Sequence, residues 1–219
     1  MPERRRSRPR DQATRTRTRP SAPPPGQLVH DLIEHTPGVT EPETRRQPME
    51  TPVRGPLKLL FLDLDGTLTD GVITFDASGD QRNFFIRDGL SLMWARDLGL
   101  LPVVISGRSS AAAELRMHDL KLEYYFGVQD KVEVAERVMK RERASWKQCA
   151  MVGDDLPDVA LMKKVGWPIA VLDAVPEVKA VAHTVTRARA GYGAVREVVE
   201  RLLKHNGTWE QVLERYEAR

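Results

Sequence analysis

Apolar and polar positions change character at Leu57. Residues 57–62, Leu-Lys-Leu-Leu-Phe-Leu, form a nearly continuous apolar run that ends at Asp63. Such a run suits a strand covered on both faces, as in a parallel sheet. Residues 72–85, with Ser78-Gly79-Asp80 in the middle, predict a β-hairpin whose turn uses Gly and Asp. Asp88 is placed to cap a helix carrying Leu90, Met93, Trp94 and Leu98 on one face and ended by Gly99. A second apolar strand follows at 101–105. The alternation then repeats: a helix near 109–118, a short strand at 124–126, and a helix from Asp130 with Val132, Ala135, Val138 and Met139 in register. Residues 149–152 predict another buried strand, followed by a helix through Leu161 and Met162 and strands at 169–172 and near 181–185. Strands separated by helices of about 10 to 15 residues imply βαβ units, hence an α/β fold with a doubly wound parallel sheet. In that architecture a ligand sits beyond the carboxyl ends of the strands.

The stretch before Leu57 shows neither periodicity. Eleven of the 15 prolines fall before residue 57, with no apolar run able to nucleate a core, so residues 1–56 read as a disordered Arg/Pro-rich arm and 57–219 as one domain. Charge divides at the same place. The arm holds 11 of the 34 basic residues and 7 of the 31 acidic ones, which leaves 23 basic and 24 acidic residues in 57–219. The sequence pI near 9.1 therefore belongs to the arm, and the near-neutral domain argues against nucleic acid as a partner. Met49, eight residues before Leu57, offers an alternative start; the other reading of the arm is a tether to an anionic surface. No apolar run approaches the roughly 20 residues of a membrane helix, and no apolar segment follows the first arginines as in a secretory signal. A single cysteine, Cys149, fits a reducing compartment, so a cytoplasmic location is expected.

The chemistry stands at the strand ends. Asp63-Leu64-Asp65 follows the first strand, Ser106 the second, Lys131 comes shortly after the third, and Gly153-Asp154-Asp155 follows the fourth. Carboxylates crowded on one rim repel one another unless a cation neutralises them, and hard oxygen ligands without His or Cys suit Mg²⁺. Asp63, Asp65 and Asp154 are the candidate ligands. Asp155 and Asp158 could ligate directly, or hold Asp154 and cap the helix that follows. With a metal there, Asp63 can attack a phosphoryl group in line while Lys131 and the Ser106 hydroxyl neutralise its oxygens. Asp65, two residues on, can protonate the leaving alkoxide and then deprotonate the hydrolytic water.

Asp63-Leu64-Asp65-Gly66-Thr67, Ser106-Gly107-Arg108, Lys131 and Gly153-Asp154-Asp155-Leu156-Pro157-Asp158 resemble, in order and spacing, the four motifs of the haloacid-dehalogenase superfamily. The second Asp of the first motif marks its phosphatases. Leu68-Thr69-Asp70-Gly71, Ile86-Arg87-Asp88-Gly89 and Gly191-Tyr192-Gly193-Ala194-Val195-Arg196-Glu197 are similar, more closely, to the 3-deoxy-D-manno-octulosonate 8-phosphate phosphatases. That resemblance implies a capless phosphatase on the route to lipopolysaccharide, with Mg²⁺ on Asp63 and Asp154. It also implies substrate contacts from Asp65, Phe85, Ile86, Arg87, Asp88, Gly89, Arg108, Arg116 and Lys131. Only 22 residues separate Lys131 from Asp154, and Asp63 to Ser106 leaves room for a hairpin and one helix, so neither usual insertion point holds a cap. A site without its own lid needs a large substrate or a neighbouring subunit, and a homo-oligomer, by resemblance a tetramer, is expected to meet through the hairpin.

Two positions depart from the family pattern: Met93, where an Arg is frequent, and Ala190-Gly191 in place of Gly-Gly. Phosphatases of nine-carbon keto acid 9-phosphates are therefore the alternative, and a phosphate-sensing scaffold is the rival from another class. Arg116 reads equally as a substrate contact or a solvated helix charge. The Gly191–Gly193 motif is read as a loop or tail that packs near a neighbour's site. His30, His35, His118, His183 and His205 lack metal-ligand spacing.

Overall fold

The computed structural model describes residues 53–77 and 79–217. Six strands form one parallel sheet: β1 (Leu59–Leu62), β4 (Leu101–Ile105), β5 (Glu123–Tyr125), β6 (Cys149–Gly153), β7 (Trp167–Ala170) and β8 (Thr184–Val185). Their order is β5-β4-β1-β6-β7-β8. β1 and β6 are buried along their whole length, the consequence of apolar runs that serve both faces. Leu59 to Leu62 pair with Leu101 to Val104 on one side and with Cys149 to Val152 on the other. The chain leaves β1 toward β4 and later returns to β6 on its opposite side, so the strand order reverses at β1. Such a reversal is the place where loops diverge and ligands bind beyond the carboxyl ends of the strands in folds of this kind.

A two-stranded antiparallel hairpin, β2 (Thr74–Asp76) and β3 (Gly79–Gln81), leaves the sheet after β1 as the sequence predicts. Ser78 of its turn lies outside the described residues. The helices are α1 (Ile86–Asp97), α2 (Ala111–Leu120), α3 (Lys131–Glu142), α4 (Val159–Met162), α5 (Pro176–Val181), α6 (Ala194–His205) and α7 (Trp209–Glu217). Ser110 caps α2 by accepting from the Ala113 amide, and Asp130 caps α3 through the amides of Val132 and Glu133. Between β1 and β4 the chain forms the loop 64–68, the hairpin and α1, and between α3 and β6 a short 3₁₀ turn, so among the described residues neither insertion point holds a cap domain.

The structure departs from the sequence pattern at particular places. Val181 ends α5, and the last strand is confined to Thr184–Val185. Ahead of the expected boundary at Leu57, Val53 is buried in the core, and His205 Nε2 lies 2.9 Å from the Gly55 carbonyl oxygen while its ring meets Trp167 edge-on. The rest of the expected arm, residues 1–52, lies outside the described residues. Gly191 to Gly193 form a turn, and the residues after them form a helix that the sequence pattern above does not assign. Ala194, Val195, Val198, Val199, Leu202 and Leu203 form the buried face of α6, which packs on α1, and α7 closes over Trp94 with Trp209 and Tyr216. Asp88 does not cap α1. It sits in the first turn, fully buried, and its Oδ1 accepts from the Arg196 amide at 2.7 Å, so it caps α6 instead, where Gly193 has no side chain to do so.

Candidate active site

Asp63 is the first residue beyond β1, and its amide donates to the Val152 carbonyl at 3.0 Å, which fixes it between β1 and β6. The loop 64–68 then curls back, closed by the Thr69 amide donating to the Leu64 carbonyl at 3.0 Å. Gly66 adopts φ +94°, and a Cβ there would run into the Asp154 carboxylate, so both conformation and space demand glycine. Asp154 follows β6; its Oδ1 accepts from Thr67 Oγ1 at 2.9 Å. Asp158 reaches back from the next turn, its Oδ2 accepting from the Asp154 amide at 3.0 Å. Carboxylate oxygens of Asp63, Asp154 and Asp158 thus lie within 4.8 Å of one another. Lys131, at the start of α3, places Nζ 2.5 Å from Asp63 Oδ1 and 2.6 Å from Asp158 Oδ1.

One lysine against three carboxylates leaves surplus negative charge in a buried place. Burial, then repulsion from Asp63 and Asp158, pushes the Asp154 carboxyl up to about 8. Burial raises Asp63 to about 6, with Lys131 working the other way. Burial opposes the charge on Lys131, yet Asp63 and Asp158 together hold its ammonium above the usual lysine value. The donors are all hard oxygens, and the charge they lack is a cation's. The residues fit Mg²⁺.

The other predicted residues divide. Ser106 is buried at the end of β4, its Oγ accepting from the Arg108 amide at 3.2 Å, and the Arg108 side chain is exposed. Asp155 caps the turn after β6 by accepting from the Leu156 amide at 2.7 Å, whereas Asp158 is the member of the pair that joins the cluster. The Asp65 carboxylate, expected among the ligands, lies apart from that cluster in an ion pair with Arg82. Of the stretch Phe85 to Gly89, Ile86 and Arg87 point outward and Ile86 is 71 % exposed. Asp88, expected at the substrate, is 0 % exposed, and its carboxylate is turned to the start of α6. Gly89 is buried because Arg116 crosses it; that arginine also pairs with Asp119 at 2.5 Å.

Comparison with known proteins bears on what this rim does. A haloacid dehalogenase-like hydrolase family model matches residues 127–198. The 3-deoxy-D-manno-octulosonate 8-phosphate phosphatase KdsC of Escherichia coli K12 is 35 % identical over 157 residues, covering 71 % of this chain and 84 % of that protein. The chain belongs to the KdsC family. The Haemophilus influenzae KdsC is 33 % identical over 153 residues, covering 69 % of this chain and 85 % of that protein. Among solved structures, the Moraxella catarrhalis KDO 8-phosphate phosphatase in complex with magnesium, phosphate and KDO superposes with a TM-score of 0.70 at 32 % identity, covering 73 % of this chain and 93 % of that one. The cobalt-bound H. influenzae enzyme gives 0.67 at 32 %, covering 74 % and 94 %.

In this KdsC-family chain one residue of the rim has no motif to announce it. Arg82 lies just beyond β3, at a position where the sequence shows only an isolated arginine after an exposed hairpin. The signal available was alternation: along 79–84 the even positions turn inward, and strand periodicity places Arg82 on the face of Asp80 and Phe84.

Proposed function

We propose that this protein is a Mg²⁺-dependent phosphatase that hydrolyses 3-deoxy-D-manno-octulosonate 8-phosphate in lipopolysaccharide precursor synthesis. The observation that carries the reading is the buried carboxylate cluster with Lys131, set on the rim of a KdsC-family fold. Asp63 and Asp154 would hold the metal beside Asp158; the Asp65 carboxylate, paired with Arg82, is not among its ligands. The ion, when bound, supplies positive charge to the phosphoryl oxygens.

Asp63 acts as nucleophile. Its oxygen forms a bond to phosphorus as the bond to the sugar oxygen breaks, and the leaving alkoxide takes a proton from Asp65. Water then attacks the aspartyl phosphate and gives a proton back to Asp65, which releases phosphate and restores Asp63. Lys131 keeps Asp63 ionised and turned toward the substrate, and Ser106 offers its hydroxyl to a phosphoryl oxygen. The exposed Arg108, the exposed Arg87, whose guanidinium lies 5.8 Å from the Phe85 ring centre, and Arg116 are the groups suited to a carboxylate-bearing sugar. Every one of these residues follows Val53, so removal of residues 1–52 is expected to leave the chemistry intact.

The test is a panel of the eight-carbon keto acid 8-phosphate, a nine-carbon keto acid 9-phosphate and simple sugar phosphates, assayed with Mg²⁺ and with chelator. A wide preference for the eight-carbon acid and loss of turnover in chelator are expected. Preference for the nine-carbon acid overturns the substrate, and metal-independent turnover overturns the mechanism.

The protein is further read as a cytoplasmic homotetramer. The uncapped rim and the exposed apolar side chains, among them Phe75 at 69 % and Ile86, support assembly through the hairpin. The buried free thiol of Cys149 and the absence, among the described residues, of any helix long and apolar enough to cross a membrane are compatible with that location. Sedimentation as a tetramer is expected, and a fully active monomer would sink the assembly.

A further inference from the structure

Arg82 is the charged group on this rim to which the roles above give no task. Its side chain is only 1 % exposed. Nε donates to Asp65 Oδ1 at 2.5 Å and Nη2 to Asp65 Oδ2 at 3.3 Å, so both carboxylate oxygens meet one planar fork. Nη1 donates to Ser110 Oγ at 2.6 Å, the same hydroxyl that caps α2, and also pairs with Asp80 of the hairpin. One guanidinium therefore joins the loop after β1, the hairpin and the start of α2. With nearly all its donors spent on protein groups, it has little to offer a phosphate. Asp65 itself remains partly exposed, open to a leaving group.

We propose that Arg82 is a positioning residue: its two-pronged ion pair holds the Asp65 carboxylate away from the metal-binding cluster and aims it for both proton transfers. The need is physical. Asp65 rides on a loop that bends at Gly66, next to three carboxylates that will gather around a cation, and an unrestrained carboxylate there would rotate toward the metal. A displacement of about 1 Å in a proton-transferring group costs on the order of 10²-fold in rate. This inference rests on the proposed phosphatase reading.

The experiment compares Arg82→Met, Arg82→Lys and Asp65→Asn on an alkyl phosphate, the sugar acid phosphate or glucose 6-phosphate, and on p-nitrophenyl phosphate, whose leaving group departs without a proton. Arg82→Met is expected to lower steady-state turnover of the alkyl ester by on the order of 10²-fold. On the aryl ester it should keep a rapid burst of one nitrophenolate per site followed by slow turnover, because only hydrolysis of the aspartyl phosphate still needs Asp65. Arg82→Lys, whose single ammonium cannot grip both oxygens, should lose less and keep the burst, and it carries the same test if Arg82→Met does not fold. The rise in melting temperature on adding Mg²⁺ should be no smaller than in wild type, and larger if the released Asp65 carboxylate turns to the ion, and Arg82→Met should cost nothing further in the Asp65→Asn background. Wild-type turnover by Arg82→Met overturns the role. So do equal loss of burst and steady state, or a full additional loss in the Asp65→Asn background. A wild-type protein without Mg²⁺-dependent phosphatase activity overturns the proposed function itself, and this role with it.

Discussion

Asp63→Asn is expected to abolish turnover, the rate falling by on the order of 10⁴-fold or more, because the substitution removes the proposed covalent nucleophile. The amide is nearly isosteric with the carboxylate, so the loss is chemical. The Asp63 main-chain bond to Val152 is untouched, and Lys131 keeps Asp158 as a partner at 2.6 Å. Burial and the neighbouring Asp158 already disfavour the Asp63 charge, which is why its carboxyl stands near 6. Exchanging it for a neutral group therefore leaves the thermal midpoint unchanged or raises it. The informative result is the combination: no turnover, no phosphate label trapped on the protein after acid quench, and a melting temperature at or above wild type. Retention of more than about a tenth of the wild-type rate would remove Asp63 from the reaction, since groups that act as nucleophiles do not leave that much behind. It would also revive the scaffold alternative, in which the domain binds phosphate without turning it over.

Much of this arrangement was legible in the sequence because the sheet is buried on both faces. Apolar runs of four to six residues ending in Asp or Ser could only be strands with polar carboxyl ends, and that placed Asp63, Ser106 and Asp154 on one rim. What escaped was information that no local pattern holds. Asp88 looks like a helix cap by position, yet its partner is the Arg196 amide, 108 residues away and contributed by a different helix. The i, i+4 apolar pairs of α6 were present in the sequence, but no helix was assigned to them. The glycines before them form the turn that leads into the helix, with Gly191 and Gly193 both at positive φ. Val53 could not be assigned to the core because a single apolar residue among Pro, Arg and Gly has no period. Arg82 is the clearest case. An arginine after an exposed hairpin is usually a solvated charge, and only the fold shows that its inward register meets the Asp65 carboxylate.

Asp154→Asn should change stability and activity in opposite directions, and the sign of the stability change should depend on metal. In the metal-free protein the Asp154 carboxyl lies near 8, against 3.8 for an unperturbed aspartate, because of burial first and then repulsion from Asp63 and Asp158. A carboxyl raised in the folded state contributes stability that is complete below about pH 4 and disappears as pH rises through about 8. Metal-free wild type therefore weakens across that window, and Asp154→Asn, which cannot ionise, is spared this part of the loss. The amide oxygen still accepts from Thr67 Oγ1, so the hydrogen bond to the loop after β1 survives. In chelator at pH 8.5 the variant should melt about 2–4 °C above wild type, the shift that roughly 1 kcal/mol produces in a domain of this size. The difference should shrink toward pH 5, where wild type holds its proton. Adding Mg²⁺ at pH 8.5 should reverse the order: wild type gains, because its ligand is already deprotonated, and the variant gains little. At pH 6 the same ion must displace a proton from wild type, so its stabilising effect should be smaller there. Turnover of the variant should fall on the order of 10²-fold or more, beyond the loss typical of groups that merely orient a metal's ligands. A metal-free variant that melts below wild type at pH 8.5 would show that Asp154 is a structural carboxylate. Equal stabilisation of both proteins by Mg²⁺ would place the ion elsewhere.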